Sequence, residues 1–139
     1  MKAGFLNNLQ YEEIGACNGS TIYRLLEDLV FQCEDGRQIV IPKGFQTDLA
    51  SVPRVPIVFM LWGDRAHREA VLHDYLYRTN SVPLVARSEA DNYFKLAMIS
   101  RDQPWRIYYP MYLGVRAGGW SAYHKLPVGH VFELDGGKP

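Results

Sequence analysis

Near its middle the chain changes the spacing of its apolar residues. Up to about residue 55 they come in short runs, Ile22 to Leu26, Leu29 to Cys33 and Gln38 to Ile41. From Asp64 onward they recur three or four residues apart, as in Ala66, Ala70, His73 and Tyr77, with Val71 beside the stripe. Short runs bounded by turn residues suit strands, and the longer spacing suits a helix that buries one face. A β part followed by a helical part predicts an α+β fold. The expected arrangement is N-terminal antiparallel β-hairpins, forming a small sheet, packed against a C-terminal bundle of about three helices.

Local signals place the elements. Asp35-Gly36, inside "EDGR", lies between the second and third runs and is a strong hairpin signal. Pro42 and Gly44 end the third strand. In "FQTDLASVPRVP" each proline disfavours a helical residue before it, so this stretch reads as a loop or short turn. Asp48 and Ser51 are placed there to cap one helical turn. A first helix is expected over about residues 65–78, with Asp64 as its N-cap. Ser88 then reads as the cap of a second helix, with Asp91 as a weak capping-box partner. The core face of that helix would be Ala90, Phe94, Ala97 and Met98. A third helix has Pro104 in its first turn. Pro110 would kink or split it, and Gly118-Gly119 would end it. The tail adds one strand, His130 to Leu134, before a disordered end. Without repeats or linkers, the chain reads as a single domain, β-rich over 1–55, helical over 64–118, with a tail over 120–139.

Charge and composition exclude several classes of function. Fifteen Lys and Arg balance fifteen Asp and Glu. Bulk electrostatic binding to nucleic acid needs a basic face, so no nucleic-acid partner is expected. The longest apolar run, Val55 to Trp62, is eight residues, well short of the roughly 20 that span a bilayer. The N-terminal stretch lacks the apolar core of a signal peptide. A soluble protein of the bacterial cytoplasm is the expectation. Cys17 and Cys33 are too few for a disulfide scaffold. A reduced pair fits that compartment, and a bridge across a hairpin is the alternative. The oligomeric state stays open.

In "AVLHDYLYR" two polar residues, His73 and Asp74, sit where a helix is burying itself. An unpaired buried carboxylate costs several kcal/mol. Adjacent helical residues point about 100° apart, so each needs its own partner. On one reading His73 donates to a backbone carbonyl and Asp74 pairs with Arg54, Arg87 or Arg116. On the other they do chemistry. Two helices joined by a short loop pack antiparallel, which brings Asp91 near His73 and Tyr77. An aspartate on an imidazole fixes its tautomer and stabilises its charged form, as a general base requires. Tyr77, four residues beyond His73, is placed to bond the same carboxylate. Asp48, in the loop after the β half, stands where site residues often sit. Asp48, Asp74 and Asp91 with His73 also make a set of hard metal ligands, better matched to calcium than to zinc. Ser51 lacks the G-x-S-x-G setting of a nucleophile elbow. The aromatic run Trp105 to Tyr112 suits core and rim better than a base-stacking platform.

Four blocks, "IPKGFQTDLASVPR", "AVLHDYLY", "ADNYF" and "VRAGG", resemble in order the phage and prophage family catalogued as domain of unknown function 1353. They cover roughly residues 22–119. The resemblance implies a phage origin and leaves the activity unsettled. More loosely, "AVLHDYLY" followed by "ADNYF" is similar to the HDxxY and later AD segments of calcium-dependent secreted phospholipases. That similarity implies His73 as the general base activating water, Asp74 as a calcium ligand, and Tyr77 and Asp91 as groups orienting the histidine. The chain departs from that pattern: "LWGD" is a poor substitute for a glycine-rich calcium loop, and the multiple disulfides are missing.

Two functions follow as expectations. One is a small phage hydrolase with a His73–Asp91 dyad, acting on an ester, phosphoester or cell-envelope bond. Asp48 and Asp74 would hold a divalent metal or support the site with Thr47, Ser51, Arg87 and Arg116. His73 would then lie in an open cleft. The other is a non-enzymatic virion component (tail, baseplate or capsid-associated) or assembly protein that meets other phage structural proteins. The same residues would then be a buried polar network. Both require His73 and the acids at 48, 74 and 91 to gather where the β part meets the helices.

Overall fold

The computed structural model describes residues 2–52 and 67–136. Among these the chain forms six strands, three α-helices and a 3-10 turn. The strands are β1 (Gly4–Phe5), β2 (Tyr11–Cys17), β3 (Ser20–Leu25), β4 (Leu29–Gln32), β5 (Gln38–Ile41) and β6 (Gln46–Thr47). The helices are α1 (Arg68–Leu76), α2 (Arg87–Ser100) and α3 (Trp105–Gly118), followed by the 3-10 turn Gly119–Ser121. Strands come first and helices after, the α+β order that the change of period predicts.

Two small antiparallel sheets form, in the strand orders β1-β4-β5 and β2-β3-β6. In the first, β4 and β5 pair from Leu29 with Ile41 to Gln32 with Gln38. The Asp35-Gly36 turn closes this hairpin as expected. Gly36 takes φ 91°, a left-handed conformation that residues with a Cβ adopt at a cost. Alternation puts Leu29, Phe31, Ile39 and Ile41 inward, each 1% exposed or less. Phe5 of β1 meets Phe31 edge-on, with ring centroids 5.0 Å apart. The second sheet contains β2, "YEEIGAC", a strand without an apolar run to announce it. Cys17 ends β2, Cys33 follows β4 in the other sheet, and both thiols are free.

Helix α1 is buried along almost its whole length, from Glu69 to Leu76. Its expected stripe is buried at Ala70, Val71, His73 and Tyr77. The helix starts at Arg68, with the extended His67 as its N-cap, and not near residue 65 with Asp64 as cap; Asp64 and Ala66 themselves lie outside the described residues. Helix α2 presents the expected face, with Ala90, Phe94, Ala97 and Met98 all fully buried. Each large apolar side chain buried in this way contributes about 1.5–3 kcal/mol.

Several boundaries differ from expectation. Helix α2 starts one residue before Ser88, and its N-cap position is Ala86. Glu89 Oε1 accepts the Ala86 N–H at 3.2 Å, so Ser88 and Asp91 form no capping box. Helix α3 begins after Pro104 and runs unbroken through Pro110. The carbonyl that Pro110 leaves without a helical donor is that of Arg106, and both residues are exposed, so water can satisfy it. Residues 130–134 are not a strand. The tail is tied by single bonds instead, Phe132 N–H to Gln46 Oε1 at 3.0 Å and Asp135 N–H to the Ala16 carbonyl at 2.6 Å. The Asp135 carboxylate accepts the backbone N–H of Asn18 at 3.0 Å and of Gly19 at 2.9 Å.

Candidate functional site

The antiparallel pair α1–α2 brings His73 onto Asp91. His73 Nε2 lies 2.7 Å from Asp91 Oδ1. A carboxylate only accepts, so Nε2 carries the proton and Nδ1 is left as an acceptor. Ser51 Oγ lies 3.0 Å from Nδ1 and donates to it. The result is a continuous line, Ser51 to His73 to Asp91, fully buried at the last two. It runs from the loop after β6, through α1, to α2.

Asp91 is held from three further directions. The Tyr77 hydroxyl donates to Oδ1 at 2.5 Å. Arg116, on α3, donates to Oδ2 at 2.8 Å. Arg87 approaches Oδ2 at 3.5 Å and spends its other contacts on the last carbonyls of α3, those of Val115 and Arg116. Burial on its own would raise the pKa of Asp91. Hydrogen bonds from His73 and Tyr77, with the Arg116 guanidinium, outweigh burial and hold the carboxyl below its usual value. Tyr77 moves the other way, raised first by burial and then by its bond to the Asp91 carboxylate. It therefore stays a donor throughout the neutral range.

Asp74 faces elsewhere, as the 100° step between neighbours requires. Its Oδ2 accepts from the Thr47 hydroxyl and from Arg78 at 3.0 Å. Arg78, 3% exposed, also donates to the Gln46 carbonyl at 2.9 Å and the Pro127 carbonyl at 3.0 Å. Its guanidinium sits 4.7 Å from the centre of the Phe45 ring. The expected partners of Asp74 are thus corrected: Arg87 and Arg116 serve Asp91, and Arg54 lies outside the described residues. Arg78 is the member of the candidate site that the sequence reading does not include. Its signal was present, since Asp and Arg four apart on a helix face pair readily.

The loop between β6 and Ser51 is built tightly. Thr47 Oγ1 accepts the Leu49 N–H at 2.9 Å, and Asp48 Oδ1 accepts that of Ala50 at 3.0 Å. Asp48 thus makes a local turn rather than a helix cap. Leu49 takes φ 59°, a left-handed conformation rare for a residue with a branched side chain. Such strain persists only where surrounding contacts enforce it, and it clusters at working sites.

The expected single cluster is therefore two adjoining ones. Ser51, His73, Tyr77, Asp91 and Arg116 form the first; Thr47, Asp74 and Arg78 form the second. A cleft of about 310 Å³ opens beside the second, lined by Asp48, Asp74, Tyr77, Arg78 and Lys125 among others. His73 does not line it and is 0% exposed, contrary to the expected open position. The hard-ligand set does not fit a cation either. Asp74 already faces the Arg78 charge, and among the described residues no three His, Cys, Asp or Glu side chains are grouped to hold a metal.

A family sequence model covers the stretch that carries most of these residues. The model described as "Protein of unknown function (DUF1353)" matches residues 23–115. The chain belongs to this family. The DUF1353 match spans β3 through most of α3, and so includes Thr47, Ser51, His73, Asp74, Tyr77, Arg78, Arg87 and Asp91. Arg116 falls one residue beyond it. No curated protein and no solved structure matches the chain. No helix among the described residues is long and apolar enough to cross a membrane.

One glycine makes the DUF1353 site possible by its size. Gly118 and Gly119 end α3 as expected, at φ −117° and −73°, and so without a left-handed residue. A Cβ on Gly119 would stand 2.4 Å from the Tyr77 hydroxyl. Gly119→Ala is expected to push Tyr77 off Asp91 and to destabilise by about 1–3 kcal/mol, as overpacking does. In a Tyr77→Phe background most of that cost should vanish, because the clashing oxygen is gone. A double-mutant cycle in thermal unfolding checks this. Equal costs in both backgrounds would show that Gly119 serves some other need.

Proposed function

We propose that this chain is a small phage-encoded hydrolase of ester bonds, with Ser51, His73 and Asp91 as its reacting line. The observation that carries the reading is His73 bridged at both ring nitrogens, to Asp91 at 2.7 Å and Ser51 at 3.0 Å. Asp91 fixes the tautomer that leaves Nδ1 basic toward Ser51. In the first step Nδ1 takes the Ser51 proton as Oγ bonds to the ester carbon. The resulting imidazolium is stabilised by Asp91, and its Nδ1–H then protonates the departing alkoxide. Water repeats the sequence on the acyl-serine and releases the acid. Tyr77 and Arg116 are positioning residues, since they touch Asp91 and not the reacting atoms. The left-handed Leu49, two residues before Ser51, supports the same reading. The phage setting rests on the family resemblance.

The test uses a fluorophosphonate ester probe on the full chain, with the labelled residue mapped by mass spectrometry. Label is expected on Ser51, with none in Ser51→Ala or His73→Gln. Ester turnover should fall at least about a thousandfold in either variant. Ser51→Ala leaves only His73 Nδ1 unpaired, a loss of about 1–3 kcal/mol, so the variant should remain folded. A wild-type chain that takes no label at Ser51 would sink the proposal.

The complete burial of His73 and Asp91 favours a second reading. On it the line is a structural network within a virion or assembly protein, and other phage structural proteins are the partners. Ser51→Ala would then lower stability and change nothing else.

A further inference from the structure

The outer face of α3 is apolar, aromatic and uncovered by the described residues. Trp105, Tyr109 and Leu113 stand four residues apart on one side of the helix and are 67%, 50% and 49% exposed. Trp120, in the 3-10 turn that continues the helix, is 68% exposed. The buried side of the same helix is carried by Met111 and Val115, so this stripe plays no part in the core. Two of the chain's three tryptophans are spent on it. Contiguous exposed apolar side chains of this size mark a surface that something else covers.

Charge indicates what covers it. From Gln103 to Phe132 the sequence contains no Asp or Glu, against three Lys and Arg, namely Arg106, Arg116 and Lys125. All fifteen acidic residues lie in the rest of the chain, with the other twelve Lys and Arg. A chain neutral overall is therefore divided into a cationic aromatic segment and an anionic remainder. Arg116 is spent on Asp91, whereas Arg106 and Lys125 are exposed. Tryptophan and tyrosine, with an apolar ring and a polar edge, settle at the boundary between lipid headgroups and chains. Nearby Arg and Lys are attracted to anionic lipid. A second copy is a poorer occupant, because like faces would meet with the same cations and with no acidic residue between Gln103 and Phe132 to answer them.

From this juxtaposition we infer that the α3 face docks on an anionic lipid surface, through Trp105, Tyr109, Leu113 and Trp120, with the exposed Arg106 next to Trp105 on the helix. Docking needs no reaction at His73, which is fully buried.

The experiment is flotation of the 139-residue chain with two kinds of vesicle, phosphatidylcholine alone and phosphatidylcholine mixed with phosphatidylglycerol. Tryptophan emission is followed in parallel. Partition into the mixed vesicles is expected to be roughly tenfold stronger, to weaken in high salt, and to shift the emission to the blue. Trp105→Ser combined with Trp120→Ser should abolish binding while the melting temperature holds, because both rings are solvent-exposed. Arg106→Glu should weaken it roughly fivefold. Absence of partition would overturn the inference, as would equal partition into both vesicle types. A dimer in sedimentation that the paired tryptophan variant dissolves would assign the face to a second copy instead.

Discussion

Asp91→Ala is expected to be the most damaging single substitution in the described part of the chain, at about 3–5 kcal/mol. The carboxylate is fully buried and answers His73, Tyr77, Arg116 and, at longer range, Arg87. Truncation leaves an imidazole and a phenol without an acceptor, and a guanidinium without its counter-charge. Urea unfolding of both proteins at neutral pH measures the loss. Asp91→Asn separates charge from shape, since the amide fills the space but still leaves Arg116 uncompensated. The pH dependence has a definite sign. The folded carboxyl titrates below its unfolded value, ordinarily about 3.9. Its stabilisation is therefore complete above about pH 4 and is lost as pH falls through the lowered folded value. Asp91→Asn should lack this acid-side loss. A variant as stable as the wild type would mean that the network is not what holds α1, α2 and α3 together.

Arg78→Ala is expected to rank next, again at about 3–5 kcal/mol. The side chain joins three separate parts of the molecule: Asp74 on α1, the Gln46 carbonyl in β6 and the Pro127 carbonyl in the tail. Removing it strands a buried carboxylate that keeps only Thr47, and two carbonyls lose a donor. Lysine should rescue little, because one ammonium cannot reproduce the planar fork that meets these acceptors. Arg78→Met combined with Asp74→Leu is the informative partner. Replacing both halves of a buried pair by apolar groups often recovers stability that removing one half destroys. Recovery in the double variant, read by thermal unfolding, would place the cost in the stranded charge. No recovery would place it in the lost carbonyl contacts.

What could be read from the sequence followed from periodicity. His73, Tyr77 and Asp91 meet because four residues make about one helical turn and because a short connection sets two helices antiparallel. Both facts are visible without coordinates. The inward face of α2 was legible for the same reason. Arg78 was missed because the helix was read for what it buries, and an arginine at its end looks solvent-bound. Ser51 was undervalued because its local setting resembles no nucleophile motif, whereas its contact with His73 depends on a loop from the β half. The cap of α2 shows a local preference overruled. A serine at the cap is worth about 1 kcal/mol; burial of Val85 and the Glu89 bond to Ala86 set the cap two residues earlier, at Ala86. Strand β2 carries no apolar run because much of it is only half-buried. The tail alternates like a strand, yet its amides are taken up by Gln46 and Ala16.

The turn Asn18-Gly19 has consequences for the order in which the molecule is completed. Both residues are left-handed, at φ 51° and 81°, and their two amides converge on one carboxylate, that of Asp135. The first long hairpin is thus finished by a residue more than a hundred positions downstream. During synthesis those amides stay in water until Asp135 has left the ribosome. Loop closure over such distances is slow compared with helix formation. The helical half can assemble around His73 while the opening hairpin still waits for its clasp, and the earliest part to be made becomes the last to be secured.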